Sequence, residues 1–179
     1  GNAFLSILTK IASGYWHVSD TQTGYTAISK NALNSIRIDK IYPSYGMPND
    51  MLVKLNIAFC SLQEIPIKPV YNIGEKSKMN LVKVIPRVSW LLILSFFKRL
   101  WIKYLFRDFH PLFLLYHLSF ILFCFCLPFG ITFIPKILAP GDMIANSNLI
   151  IFVFLFISGL QSLLFAMWMD IQDNERLYR

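Results

Sequence analysis

The residues whose types and setting could do chemistry are few. His17, Asp20 and Asp50 are the ionisable groups in unusual local sequence. Asp20 lies in Ser19-Asp20-Thr21-Gln22-Thr23-Gly24, a polar run that reads as a loop leading into a strand. Asp50 follows Pro48-Asn49 at the start of a helical pattern. A carboxylate there suits the helix N-terminus as a cap and is also placed to act as a base. The loop Gly74-Glu75-Lys76-Ser77-Lys78 offers ammonium groups and backbone amides to an anion, with Arg87 behind it. It lacks the G-x-x-x-x-G-K-[ST] spacing of a Walker loop, and a lone lysine-rich loop is more often simply solvated. His117 sits one turn into a long apolar run, where an ionisable group is a functional candidate by default but, near the interface, is more often neutral and in reach of headgroups; Gln161 in a second such run is expected to bond the neighbouring helix.

Elements must hold these residues. Phe4, Leu5, Leu8, Ile11 and Ala12 recur at helical spacing, and Gly14 predicts the stop. Tyr25–Ile28 reads as a short strand, and Ser29 predicts a cap for a short helix through Ile36. Asp50–Phe59 reads as a helix with Met51, Leu52, Leu55 and Ala58 inward and Lys54 outward. Leu62–Ile67 alternates as a strand, and Lys68–Asn80 is polar loop. From Pro86 a long helix is predicted in which Ser95, Arg99, Lys103 and Arg107 recur every four residues, with Lys98 beside them, on a body rich in Trp, Leu and Phe. A narrow cationic stripe on an apolar body predicts a helix lying in the bilayer interface; the alternative is a helix packed on the soluble part with one wet face.

Residues 112–134 and 148–169 contain no formally charged side chain, and each is long enough to cross a hydrocarbon core of about 30 Å. Lys98, Arg99, Lys103 and Arg107 precede the first run, Arg176 and Arg179 follow the second, and only Lys136 stands between them. The positive-inside rule then predicts both ends in the cytoplasm.

Composition agrees with two solvents in one chain of 179 residues. Hydrophobic residues make up 55%, above the roughly 45–50% of an average soluble domain, and charge nearly vanishes after Asp108. The net charge of +7 gathers between Lys68 and Arg107, next to the first run, which favours lipid headgroups or phosphate over nucleic acid. Cys60, Cys124 and Cys126 form no CxxC pair and read as reduced, structural thiols. No charged stretch followed by a short apolar one opens the chain, which predicts no signal peptide; Gly1 in place of Met suggests a fragment or a processed product.

Several segments, in order, resemble a known family. Gly1–Phe4 through Lys10–Gly14 resembles the helix that follows a sugar-nucleotide half. Asp20-Thr21-Gln22-Thr23-Gly24-Tyr25 resembles a D-x-x-[ST]-G-[FY] acceptor-side segment. Tyr45–Leu52, with Asn49-Asp50, is similar to the segment that carries E-D or N-D. Glu64-Ile65-Pro66-Ile67 followed by Gly74–Lys78 is similar to an E-[VI]-P-[IV]…G-x-S-K ending. Together with the apolar runs, these look like the second half of a membrane-bound bacterial family-2 glycosyltransferase, close to the polyprenyl-phosphate sugar transferases. The resemblance covers essentially the whole chain.

It implies an α/β fold class: the incomplete C-terminal portion of a GT-A fold over residues 1–80, an interfacial amphipathic helix over 81–110 and a transmembrane hairpin over 111–179. It implies an inverting transfer from a nucleotide-diphosphate sugar to a lipid-linked acceptor at the cytoplasmic face of a bacterial inner membrane. Asp50 or Asp20 would be the base; Gln22, Thr23, Lys76, Ser77, Lys78 and Arg87 would hold acceptor or phosphate. The family uses a divalent metal, magnesium or manganese, held by a D-x-D motif upstream of such segments. The sequence has no D-x-D, so this piece is not expected to turn over alone. Pro48 stands where a member has Glu, which alters the setting of Asp50. Expected partners are the donor, the acceptor and membrane lipids, with no nucleic acid and homo-oligomerisation left open. Two other readings compete: an anchor or scaffold with a basic cytoplasmic surface, and a hairpin subunit of a transporter.

Overall fold

The computed structural model describes residues 2–21, 25–66, 81–138 and 146–179. Among the described residues the architecture is all-α, which corrects the α/β expectation: no strand or sheet forms. Tyr25–Ile28 is assigned no strand, and Tyr25 and Ile28 are exposed. The expected strand Leu62–Ile67 reduces, over its described part, to one isolated bridge between Leu62 and Tyr178. Alternating apolar residues make a strand only where an adjacent strand takes up their backbone groups, and Pro66 has no N–H to offer one.

Two compact units divide the chain: Gly1–Arg107 with Ile171–Arg179, and Asp108–Asp170. In the first, α1 (Asn2–Ser13) buries Leu5, Thr9, Ala12 and Ser13 and exposes Phe4 and Ile7. It stops at Gly14, whose φ of 78° is the left-handed conformation that glycine adopts freely. A β-carbon at Gly14 would collide with the Arg99 guanidinium, so the same glycine also makes room for that side chain. Ser29 caps α2 (Lys30–Ser35) as the sequence predicts, its hydroxyl accepting the Ala32 N–H at 3.2 Å. α3 (Met47–Ile57) begins with Pro48 in its first turn and buries Leu52, Val53, Asn56 and Ile57.

α4 (Leu81–Trp101) starts earlier than Pro86, which sits in its second turn, and continues as a π-helix over Ile102–Arg107. It packs against α1 and α3 with Val88, Leu92, Ser95, Phe96, Arg99, Leu100, Lys103 and Tyr104 inward. The cationic stripe therefore faces the protein: Arg99 and Lys103 are 0% exposed. The cause is the set of carbonyls that every helix leaves unbonded at its C-terminus. Arg99 donates from Nε to the Ala12 carbonyl at 2.9 Å and from Nη2 to the Ile11 carbonyl at 3.0 Å, closing α1. Arg107 donates from Nη1 to the Ile57 carbonyl at 2.6 Å, closing α3. Cations there also meet the negative ends of two helix dipoles. What α4 turns outward is Arg87, Trp90, Ile93, Leu94, Lys98 and Trp101.

The second unit holds α5 (Pro111–Leu138) and most of α6 (Asn146–Glu175). Both are long and apolar enough to cross a membrane, over Pro111–Thr132 and Ser147–Glu175. Within the unit the Ser119 hydroxyl donates to the Gly159 carbonyl at 2.9 Å, and the bare Gly159 backbone lies where a β-carbon would sit 3.4 Å from Leu122 and Phe123. Small residues at such a contact let two helix backbones approach. α5 runs on through Pro128 and Gly130.

Candidate functional site

Two small clusters in the first unit carry the residues that the sequence singles out. In one, Asp50 lies in the first turn of α3, nearly buried, and its Oδ2 accepts the Tyr42 N–H at 2.8 Å and pairs with the Lys54 ammonium one turn on. The spacing i, i+4 places that pair on one helix face. The same Tyr42 accepts a hydrogen bond at its hydroxyl from Arg87 Nε at 2.6 Å, and the guanidinium carbon lies 5.8 Å from the ring centre. Gly46 lets the Tyr42 ring close in: a β-carbon there would sit 2.7 Å from both that ring and Leu91. Tyr42 thus joins Asp50 at its backbone to Arg87 at its hydroxyl, a link that the sequence reading did not contain. Arg87 is left exposed on the same side of α4 as Trp90, three residues on, and fixed in place by its tyrosine.

The other cluster is built on Glu64. Its Oε1 accepts the backbone N–H groups of Ser19, at 2.8 Å, and Asp20, at 3.2 Å; its Oε2 accepts the hydroxyls of Ser19, at 3.0 Å, and Tyr178, at 3.1 Å. Leu62 and the chain end clasp each other beside it, the Leu62 N–H on the Leu177 carbonyl at 2.8 Å and the Arg179 N–H on the Leu62 carbonyl at 3.0 Å. Below, Tyr15, Val18, Leu52 and Leu177 form a small apolar core, and the Tyr15 hydroxyl donates to the Cys60 carbonyl at 2.6 Å. Burial pushes the Tyr15 hydroxyl well above the usual tyrosine pKa. Three segments distant in sequence therefore fix where exposed Asp20 stands. The sequence alone assigns no role to Glu64 and does not single out Tyr178; only their contact in space reveals them.

Partial burial pulls the Glu64 pKa upward, but the hydrogen bonds from Asp20, Ser19 and Tyr178 outweigh it and hold the carboxyl below its ordinary value. The bond to Glu64 raises the Tyr178 pKa in turn. A depressed carboxylate contributes stability that is present above its unfolded pKa, roughly 4.3, and is lost as pH falls through the folded value. Wild-type protein is accordingly expected to melt above a Glu64→Gln variant at neutral pH, with the gap closing in acid below about pH 4. Thermal melts of both proteins across pH check this, and amide exchange at Ser19 and Asp20 should quicken in the variant.

Behind both clusters runs a buried polar network. Lys103 donates to Asn174 Oδ1 at 2.6 Å and to Asn56 Oδ1 at 3.1 Å, and lies 3.3 Å from an Asp173 oxygen. The Tyr104 hydroxyl donates to Asp173 at 3.0 Å and accepts from Asn174 at 2.8 Å. This network fastens the end of α6 to α3 and α4 within the first unit.

Gln22, Thr23, Lys76, Ser77 and Lys78 lie outside the described residues. Of the others, the structure brings Asp50 and Arg87 together at Tyr42 and places Asp20 at Glu64. No group of His, Cys, Asp and Glu that could hold a metal ion is found among the described residues, so the divalent metal implied by the resemblance has no ligand set there. Cys60, Cys124 and Cys126 are free thiols. Comparison with family models, with curated proteins and with solved structures found no match for this chain.

Proposed function

We propose that this chain is the membrane-surface part of an inverting glycosyltransferase, and that it receives the phosphate of a lipid-linked acceptor. The observation that carries the reading is Arg87. It is held by Tyr42 on the outward, tryptophan-bearing side of α4, on a chain with two helices long enough to cross a membrane. A fixed guanidinium beside an apolar face suits a phosphate at the end of a lipid tail. Lys98, exposed between Leu94 and Trp101, adds a second cation of the same kind.

In the reaction, an acceptor phosphate oxygen forms the new bond to the anomeric carbon while the bond from that carbon to the nucleotide diphosphate breaks. A phosphate acceptor is already anionic and needs orientation rather than deprotonation. Were the acceptor a sugar hydroxyl, exposed Asp20 is better placed than nearly buried Asp50 to reach it and take its proton. A half carrying D-x-D would have to come from outside these 179 residues.

The active side would be the cytoplasmic face of a bacterial inner membrane. Arg107 and Ile171 belong to one compact unit, so the chain leaves that unit before the apolar pair and rejoins it afterwards, as two crossings allow and one does not. The burial of Arg99 and Lys103 counts against a scaffold acting through a basic surface, since it removes two of that surface's cations.

The test uses membranes from cells expressing the chain within its surrounding gene sequence. With radiolabelled nucleotide sugars, label should pass into extractable polyprenyl lipid. Arg87→Ala should lower transfer at least about tenfold at limiting acceptor, the loss of roughly one charge-assisted hydrogen bond, with Arg87→Lys partly restoring it. Labelled lipid absent for every donor, or transfer unchanged in Arg87→Ala, would contradict the proposal.

A further inference from the structure

Gln161 occupies an unexpected position. It stands fourteen residues after Ser147 and nine before Asp170, so it lies at least about 13 Å along α6 from the nearest charge. Its side chain is exposed on the outside of the second unit and, among the described residues, makes no hydrogen bond to α5, where the sequence leads one to expect such a bond. The described contacts between α5 and α6 include the Ser119 hydroxyl on the Gly159 carbonyl, the Cys126 thiol on the Phe152 carbonyl and the Phe123–Phe156 ring pair. Around Gln161 lies a shallow groove of about 500 Å³, otherwise lined by Ile157, Leu160, Leu164, Phe165 and Trp168.

An amide carries two N–H donors and a carbonyl acceptor, and lipid tails satisfy none of them. A helix that faces lipid with one such group at depth is favoured to meet another helix that answers it. We infer that α6 is a self-association surface: a second copy of this chain packs its own α6 into the groove, with Gln161 hydrogen-bonded to Gln161 across a two-fold axis. The amide selects this partner because it is its own complement, donor to acceptor in both directions. A two-fold axis along the bilayer normal keeps every residue at the depth of its own copy, and a residue beside that axis meets that copy. The apolar wall of the groove then supplies packing to which a water-filled or charged partner would be unsuited. The inference rests on reading α6 as a membrane span, a part of the functional proposal.

The experiment uses the full chain in native membranes, with Cys60→Ser, Cys124→Ala and Cys126→Ala removing the native thiols. Single cysteines replace Ile157 or Leu164 on the Gln161 side, or Leu118 on the exposed side of α5. Oxidation should give disulfide dimers through positions 157 and 164 and not through 118. Adding Gln161→Leu should weaken dimerisation about five- to thirtyfold, and Gln161→Asn should restore part of it. Equal cross-linking at all three positions, or dimers indifferent to Gln161→Leu, would overturn the inference. So would a monomer that survives carbonate extraction in the membrane, while leaving the span intact. Release of the chain by carbonate would overturn the span reading and the inference together.

Discussion

Replacing Arg99 with leucine is expected to be among the most damaging single changes in the protein, costing about 3–5 kcal/mol of stability. Leucine keeps much of the bulk but leaves the Ile11 and Ala12 carbonyls without their donor at a buried helix end. Each buried carbonyl stranded in this way costs roughly 1–3 kcal/mol, and a charged donor strengthens what is lost. The guanidinium also lies 5.9 Å from the Phe96 ring centre and 5.6 Å from that of Tyr104, contacts that a methyl group does not replace. Arg99→Lys should recover less than half, because a single ammonium on a flexible stem cannot span two carbonyls as a planar fork does. Thermal unfolding in detergent micelles measures the loss, and limited proteolysis should locate it at α1. Had the stripe pointed to lipid, Arg99→Leu would have changed stability little.

Lys103→Met should cost about 3 kcal/mol and should free the chain end. Removing one partner of a buried ion pair leaves the other charge desolvated, which is why breaking such a pair is expensive even where the pair itself contributes little. Here Asp173 would keep Tyr104 and Arg176 but lose its buried cation, and Asn56 and Asn174 would lose the ammonium between them. Carboxypeptidase should trim the variant faster than wild type. A cycle with Asp173→Asn should return a coupling of about 0.5–3 kcal/mol between the two positions. Because residues 177–179 support Leu62 and Glu64, the loosened end should also release Ser19 and Asp20, an effect reaching across three segments.

Much of the helical framework was legible in the sequence because it is written locally. The apolar spacing and terminal glycine of α1, the Ser29 cap and the two uncharged runs each depend on residues within a few turns of one another. The strands were misread because alternation states only that a segment would suit a sheet, not that another strand exists to pair with it. The orientation of α4 was hidden for a different reason. Lipid phosphates and the carbonyls at a helix C-terminus are both clusters of acceptor oxygens, so cations at a four-residue spacing fit either. Only the places where α1 and α3 end decide between them. Of the site, Asp20, Asp50 and Arg87 stood out by local setting, whereas their organisers Tyr42, Glu64 and Tyr178 act across 8 to 114 residues of sequence.

On this reading α4 presents tryptophan and leucine to the bilayer, with Arg87 and Lys98 on the outward side, while Arg99 and Lys103 are held inside. Nitroxide labels placed singly at Leu94, Trp101 and Ile38 of the full chain in lipid nanodiscs test this through their collision with oxygen, which concentrates in lipid, and with a nickel chelate, which stays in water. Labels at 94 and 101 should collide mainly with oxygen, and the label at exposed Ile38, on the short turn before Tyr42, mainly with nickel. Nickel-dominated collisions at 94 and 101 would mean that this face of α4 lies in water, and the protein would then have no seat on the membrane surface through that helix.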